Sequence, residues 1–233
     1  LTSVNVVYEP VNLIMNAEQL AEKLASILRR EGFKVVGLLA NAQCLQGLEE
    51  ISRFLHDRGF KVFIDEKSKG LVLGCNVSAA ISISDKVDCL VFIGSGYFHP
   101  LGIALKVEKP VLLADPLSMR IEDVRPLTKK MERLKWSAIL KAKKARVFGI
   151  VVSLKTGQFN IDLALKAAEK IKAKGLQAFT ITADEISWER LAAFTEAEAY
   201  VIVGCPRIAT DNREIFGKPV LDISELDAVL NAG

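Results

Sequence analysis

Four cysteines, Cys44, Cys75, Cys89 and Cys205, are the residues best equipped for chemistry, and they are spread too thinly along 233 residues to form a disulfide scaffold. Cys75 follows Gly74 and precedes Asn76, Val77, Ser78 and two alanines, which places it just ahead of a predicted helix. The exposed amide donors and dipole of a helix start lower a thiol pKa and favour the thiolate, the form that ligates metal. Cys205 follows the apolar run Tyr200–Gly204, at the carboxyl end of a predicted strand, with Arg207 close by to favour a thiolate or an anionic ligand. Cys44 lies just past an earlier strand, where it either reaches the same space or merely caps a helix start. Cys89 opens a strand at the opposite, amino end, the usual place for a small hydrophobe. Cys75, Cys205 and Cys44 are therefore the candidate metal ligands. Thiols remote in sequence but gathered on one face suit zinc or an iron–sulfur cluster, and spacing alone does not choose between them. The local signatures CxxC, HExxH, GxSxG and GxxxxGK[ST] do not occur.

Other polar residues are expected on the same side. The turn Gly94–Gly102, GSGYFHPLG, follows a strand, and Ser95 and Gly96 within it suit the edge of an anion or nucleotide cofactor. His99 could act as a general acid or base, or could simply be fixed by hydrogen bonds in the turn. Gln158, in the run Lys155–Gln158, follows the first strand of the second half. Asp211 lies beside Arg207, and the two together could grip the carboxylate and ammonium of an amino acid, or pair with each other to fix a loop.

The elements that must position these residues are short apolar strands alternating with helices. Val35–Ala40, Phe60–Ile64, Cys89–Gly94 and Pro110–Leu113 read as strands, with helices near 45–58 and 77–86 between them. A strand from Val4 to Tyr8 and a helix from Ala17 to Arg30 come first. The second half repeats the order with Val147–Val152, a helix from Ile161 to Lys174, then Ala178–Ile181, Tyr200–Gly204 and Lys218–Leu221. CLVFIGS from Cys89 aligns with AYVIVGC from Ala199, and KPVL from Lys109 with KPVL from Lys218, both at a spacing of about 110 residues. The expected fold class is α/β: two duplicated small parallel-sheet, Rossmann-like domains with helices on both faces. Their expected bounds are residues 1–122 and 147–233, joined by a connecting helix over 123–146 that is rich in lysine and arginine. Such sheets place ligands at the carboxyl ends of their strands. The connecting helix presents either a solvated face or a docking surface for an acidic partner.

Half the residues are apolar and the net charge is only +3, so a core is expected but neither nucleic acid nor membrane as a partner. No apolar run approaches the length of a membrane span, and no signal-peptide pattern opens the chain. Unbridged thiols suit a reducing, cytoplasmic setting. The first residue is Leu1 rather than Met, as in a processed or trimmed piece of something longer.

Several longer runs carry a resemblance. LGCNVSAA from Leu73, FIGSGYFHPLGIAL from Phe92, KPV from Lys109 with Ala114–Pro116, GIVVS from Gly149 with Gly157 and Gln158, and GCPRIA from Gly204 with Asp211 together resemble the archaeal-type diphthamide synthase family, over essentially the whole chain. The resemblance implies transfer of the 3-amino-3-carboxypropyl group of S-adenosylmethionine to a histidine of translation elongation factor 2, by radical chemistry at a 4Fe-4S cluster. It also implies that Cys75 and Cys205 take the places of the second and third cluster cysteines, and that Gln158, Arg207 and Asp211 lie near the substrate amino acid or the target histidine. The chain resembles the second and third family domains; the first, with its cysteine, is expected on another chain in a heterodimer, or is replaced by Cys44, or the chain works as a homodimer. The alternative is a non-catalytic partner subunit or reduced relative that binds the elongation factor or a second chain. A zinc- or nucleotide-binding module is the reading left if the resemblance misleads.

Overall fold

A computed structural model describes residues 7, 9, 11–74, 76–211 and 213–231. The chain divides into two compact units, Leu1–Thr128 and Lys129–Gly233. The strand expected over Val4–Tyr8 falls, Val7 apart, outside the described residues.

The first unit runs α1 (Ala17–Glu31), β1 (Val35–Ala40), α2 (Gly47–Asp57), β2 (Lys61–Phe63), α3 (Ser78–Ser84), β3 (Cys89–Ile93), α4 (Phe98–Ala104), β4 (Val111–Asp115) and β5 (Arg120–Asp123). Helix α1 starts where the Asn16 side chain accepts the Gln19 N–H at 2.9 Å, and stops at Gly32, whose φ of 79° suits the left-handed end of a helix. The strands form one sheet in the order β2-β1-β3-β4-β5, parallel apart from β5. Residues along each strand alternate between two apolar clusters. Leu38, Ala40, Val91, Ile93 and Leu112 meet α1 and α2, whereas Leu39, Leu90, Phe92 and Leu113 meet α3 and α4. Helices thus cover both faces, which is why the strand sequences are apolar throughout.

Helix α5 (Arg125–Ala142) leads to the second unit, with β6 (Val147–Ser153), α6 (Ile161–Ala173), β7 (Gln177–Ala183), α7 (Trp188–Leu191), β8 (Ala199–Val203), α8 (Pro206–Asp211), β9 (Val220–Asp222) and α9 (Leu226–Leu230). Its sheet is parallel, in the order β7-β6-β8-β9. Phe148, Ile150, Val152 and Val201 pack on α5, α6 and α9, while Val151, Tyr200 and Ile202 pack toward α7 and α8.

The two units share construction details. Val36–Ala40 pairs with Cys89–Ile93 in the register in which Phe148–Val152 pairs with Ala199–Val203. An acidic residue just ahead of the third strand ties down the start of the first: Asp88 accepts the Lys34 and Val35 N–H groups at 2.8 Å, and Glu198 accepts the Arg146 N–H at 2.6 Å. Each central strand carries one glycine, Gly37 or Gly149, against which the neighbouring strand's side chain lies. A Cβ at Gly37 would come 2.6 Å from Leu90 Cδ2, and one at Gly149 would come 2.9 Å from Tyr200 Cδ1.

The helix expected over 123–146 spans only Arg125–Ala142, and an antiparallel edge strand, Arg120–Asp123, comes just before it. Asp115 gathers the Leu117 N–H and the Ser118 hydroxyl at 2.9 and 3.0 Å, turning the chain back, and Met119 adopts a φ of 54°. Asp123 then accepts the Arg125 N–H at 2.8 Å and starts α5. With Ile121 its one apolar residue, β5 lacks the pattern of a buried strand. Among the described residues no helix is long and apolar enough to cross a membrane.

Candidate functional site

In the second unit, the loops after β6 and β8 bring several of the expected residues together. Cys205 is the second residue after β8 and is partly exposed. Gly204 beside it leaves room for the neighbouring loop. A Cβ there would meet Ser153 Cβ at 2.9 Å and lie 3.6 Å from Gln158 Oε1. The Ser153 hydroxyl, at the end of β6, donates to that Gln158 oxygen at 3.0 Å, so Gln158 is held against the carboxyl end of β8. Gly157, with φ 79°, makes the tight turn that returns Gln158 to the sheet.

Arg207 and Asp211 are one helical turn apart on α8, and their Nε and Oδ1 atoms are 2.6 Å apart. Thr210 also donates to the Asp211 carboxylate, at 3.1 Å. The Arg207 side chain is 10% exposed and that of Asp211 29%, so the pair is partly desolvated, where a charge-assisted bond is stronger than on open surface. Cys205, Arg207, Ile208 and Asp211 line one wall of an open groove of about 800 Å³; Glu185–Arg190, Ile215 and Phe216 supply the rest. Trp188, 46% exposed within it, was not anticipated. Nothing in its local sequence marks it, since its place in the groove depends on how α7 packs under β8.

In the first unit the corresponding edge is built around Asp115, also unanticipated as a hub. The Ser95 hydroxyl donates to its Oδ1 at 2.7 Å. Burial pushes the Asp115 carboxyl up, but hydrogen bonds from Ser95, Leu117 and Ser118 outweigh it and hold the group below its ordinary range. The expected cofactor edge, Ser95 and Gly96, is exposed, and Gly96 takes a φ of 77°. His99 is half-buried in the first turn of α4, stacked on Phe92 at 5.3 Å and edge-on to Phe98 at 5.2 Å. These ring contacts hold the imidazole against β3 and the start of α4. Tyr97 donates its hydroxyl to Glu122, an interaction that raises the phenol's pKa.

The cysteines separate by environment. Cys89 is fully buried in β3, and burial, followed by the nearby Asp88 charge, pushes its thiol up to about 12. Cys44 is corrected from candidate ligand to core residue. It is 2% exposed inside the apolar cluster under α1 and α2, its N–H is tied to Asn41, and burial followed by Asp115 raises its thiol pKa. A sulfur that keeps its proton and has no solvent access is a poor metal ligand. Cys75 lies outside the described residues; on either side of Gly74 and Cys75, Leu73 and Asn76 exchange backbone hydrogen bonds at 3.4 and 2.8 Å. Among the described residues, no three His, Cys, Asp or Glu side chains gather as a metal site. The donor chemistry nevertheless suits iron–sulfur ligation, because Cys205 is unbridged and reaches solvent at a strand end.

Comparison with known proteins adds a lineage to this geometry. The sequence profile of the diphthamide synthesis protein family matches residues 1–233. The 2-(3-amino-3-carboxypropyl)histidine synthase of Pyrococcus horikoshii is 35% identical over 218 residues, which cover 91% of this chain and 61% of that protein. Subunit 1 of the Kluyveromyces lactis synthase is 32% identical over 164 residues, covering 70% of this chain and 38% of that protein. The crystal structure of Dph2 from Pyrococcus horikoshii with a 4Fe-4S cluster superimposes with a TM-score of 0.80 at 32% identity, over 95% of this chain and 64% of that one. The chain thus spans less than two thirds of the length of these relatives.

Proposed function

The chain belongs to the diphthamide synthesis protein family, and on that footing we propose that it transfers the 3-amino-3-carboxypropyl group of S-adenosylmethionine to a histidine of translation elongation factor 2. In this reading the two units are copies of one ancestral α/β domain. Cys75 and Cys205 each give a thiolate to a 4Fe-4S cluster, and the third ligand comes from outside these residues, in a homodimer or from a chain that completes the site. When bound, the cluster supplies the electron that breaks the bond from the sulfonium to the aminocarboxypropyl carbon.

This chain's own residues bind and orient. The Arg207 guanidinium, its Nε edge held by Asp211, is a planar cation that suits a carboxylate, the terminal group of the transferred moiety. Gln158, turned by Ser153, presents its amide N–H groups beside Cys205, where a carboxylate or an imidazole nitrogen could accept them. Ser95 and Gly96 form a polar edge for the nucleoside portion, and the stacked His99 stiffens that edge. Unbridged thiols and an oxidation-sensitive cluster fit a reducing cytoplasm.

The observation that carries the reading is Cys205, open to solvent at the end of β8 and flanked by the Arg207–Asp211 pair. Anaerobic reconstitution with iron and sulfide, followed by visible absorption and iron analysis, tests it. Cys205→Ser should abolish the cluster spectrum, Cys44→Ala should leave iron content unchanged, and zinc uptake without iron would remove the radical chemistry. A second reading, a non-catalytic partner subunit, is favoured by the single accessible thiol among the described residues. It prevails if the reconstituted protein never consumes S-adenosylmethionine with elongation factor 2 present, even when a complementing chain is added.

A further inference from the structure

The outer side of α5 carries features that the proposed site does not use. Arg133, Trp136, Ser137, Leu140, Lys141 and Lys144 line an open groove of about 450 Å³, and their spacing of three and four sets them along one side of the chain. On the other side, Ala138, Ile139 and Ala142 are buried in the second unit's core, so the rotation of the helix is fixed. Trp136 and Leu140 are consequently left 57% and 59% exposed. No carboxylate lines the groove. Among the described residues, Arg133, Lys141 and Lys144 enter no ion pair, whereas Lys130 on the same helix meets Glu214 at 3.6 Å.

An apolar floor anchored by tryptophan, with cations at the rim, is the anatomy of a protein interface. The charges select the partner. A second copy offering the same face would set like charges against each other. A nucleic-acid surface would place its cations at the floor and carry far more positive charge than the +3 of this chain. What remains is a protein surface that presents an apolar side chain ringed by aspartate and glutamate. The same helix reaches toward the site, because its Lys130 pairs with Glu214, the residue just before Ile215 and Phe216 in the lining of the Cys205 groove.

We infer that the Trp136–Leu140 face of α5 docks the protein substrate through an acidic patch with a projecting apolar side chain; this rests on the reading of the chain as a modifier of a protein histidine. Binding of the full chain to translation elongation factor 2 tests it, with affinity and association rate measured at low and high salt. The triple change Arg133→Glu, Lys141→Glu and Lys144→Glu should weaken low-salt binding by roughly tenfold or more, chiefly in the association rate. High salt should largely erase that difference, because the rim charges are then screened. Trp136→Ala should weaken binding at both salt concentrations, by roughly tenfold, through the dissociation rate. Iron uptake on reconstitution should not change in either variant. If circular dichroism shows that the triple variant is unfolded, Lys144→Glu, just beyond the end of α5, carries the test with a drop of roughly twofold. Unchanged affinity in the folded variants overturns the inference. So does a charge-reversal effect confined to single-stranded RNA or to phosphatidylserine vesicles while factor binding persists. If the unaltered chain does not bind the factor at all, the functional reading falls and takes the docking surface with it.

Discussion

Arg207 and Asp211 are joined by an ion pair, and a substitution separates a positioning role from a merely structural one. Asp211→Asn keeps the shape of the side chain and removes its charge, weakening the hold on the Arg207 Nε edge. If the pair aims the guanidinium at a carboxylate, the KM for S-adenosylmethionine should rise by roughly tenfold with kcat little altered. Arg207→Lys should not restore it, since an ammonium lacks the planar fork. If the pair only fixes a loop, the melting temperature falls and KM stays. That both residues lie close together just past a strand end was legible in the sequence, because that is local information; the short helix α8 that carries them was not among the expected elements. The burial of Cys44 was not, since it is set by α1 folding over residues well removed along the chain. The same holds for Trp188, which reaches its groove only through tertiary packing.

At the scale of the element, the strands and the longer helices could be read from apolar runs and glycine stops, and their observed bounds lie close to those expected. Strand β5 escaped because one isoleucine among three charged residues carries no strand signal, and the turn that creates it is built by the Asp115 side chain. The glycines inside β1 and β6 have a packing reason that spacing does not display. Gly149→Ala would drive a methyl group into the Tyr200 ring, whose hydroxyl is itself anchored on the Leu191 and Phe194 carbonyls at 2.6 and 3.1 Å. Thermal unfolding should show a loss of about 1–3 kcal/mol, the usual cost of overpacking. The tie at Asp88 predicts a pH dependence. Hydrogen bonds from Lys34 and then Val35 hold its carboxyl below the ordinary value, so the folded state binds that proton more weakly than the unfolded chain does. Its contribution is therefore present above about pH 4 and lost as pH falls through the folded-state value. Asp88→Asn should flatten the acid limb of a stability profile and leave its slope near neutrality unchanged; an unaltered acid limb would assign that limb to other carboxylates.

For the molecule as a whole, two sheets that match in their four parallel strands, in register and in acidic ties, with β5 added antiparallel to the first, are the observed frame. Two features of the account depend on distance in space rather than in sequence: the shared cluster and the completion of its ligand set. The first can be measured without iron, substrate or a completing chain. A bifunctional thiol reagent such as dibromobimane becomes fluorescent only when it bridges two sulfurs close enough to be spanned by one small molecule. Applied anaerobically to the native full chain, it should yield one bridged product joining Cys75 to Cys205, absent from both single serine variants and retained in Cys44→Ala. Separate single adducts on Cys75 and Cys205, with no bridge between them, would contradict the shared cluster and leave only the fold and the family.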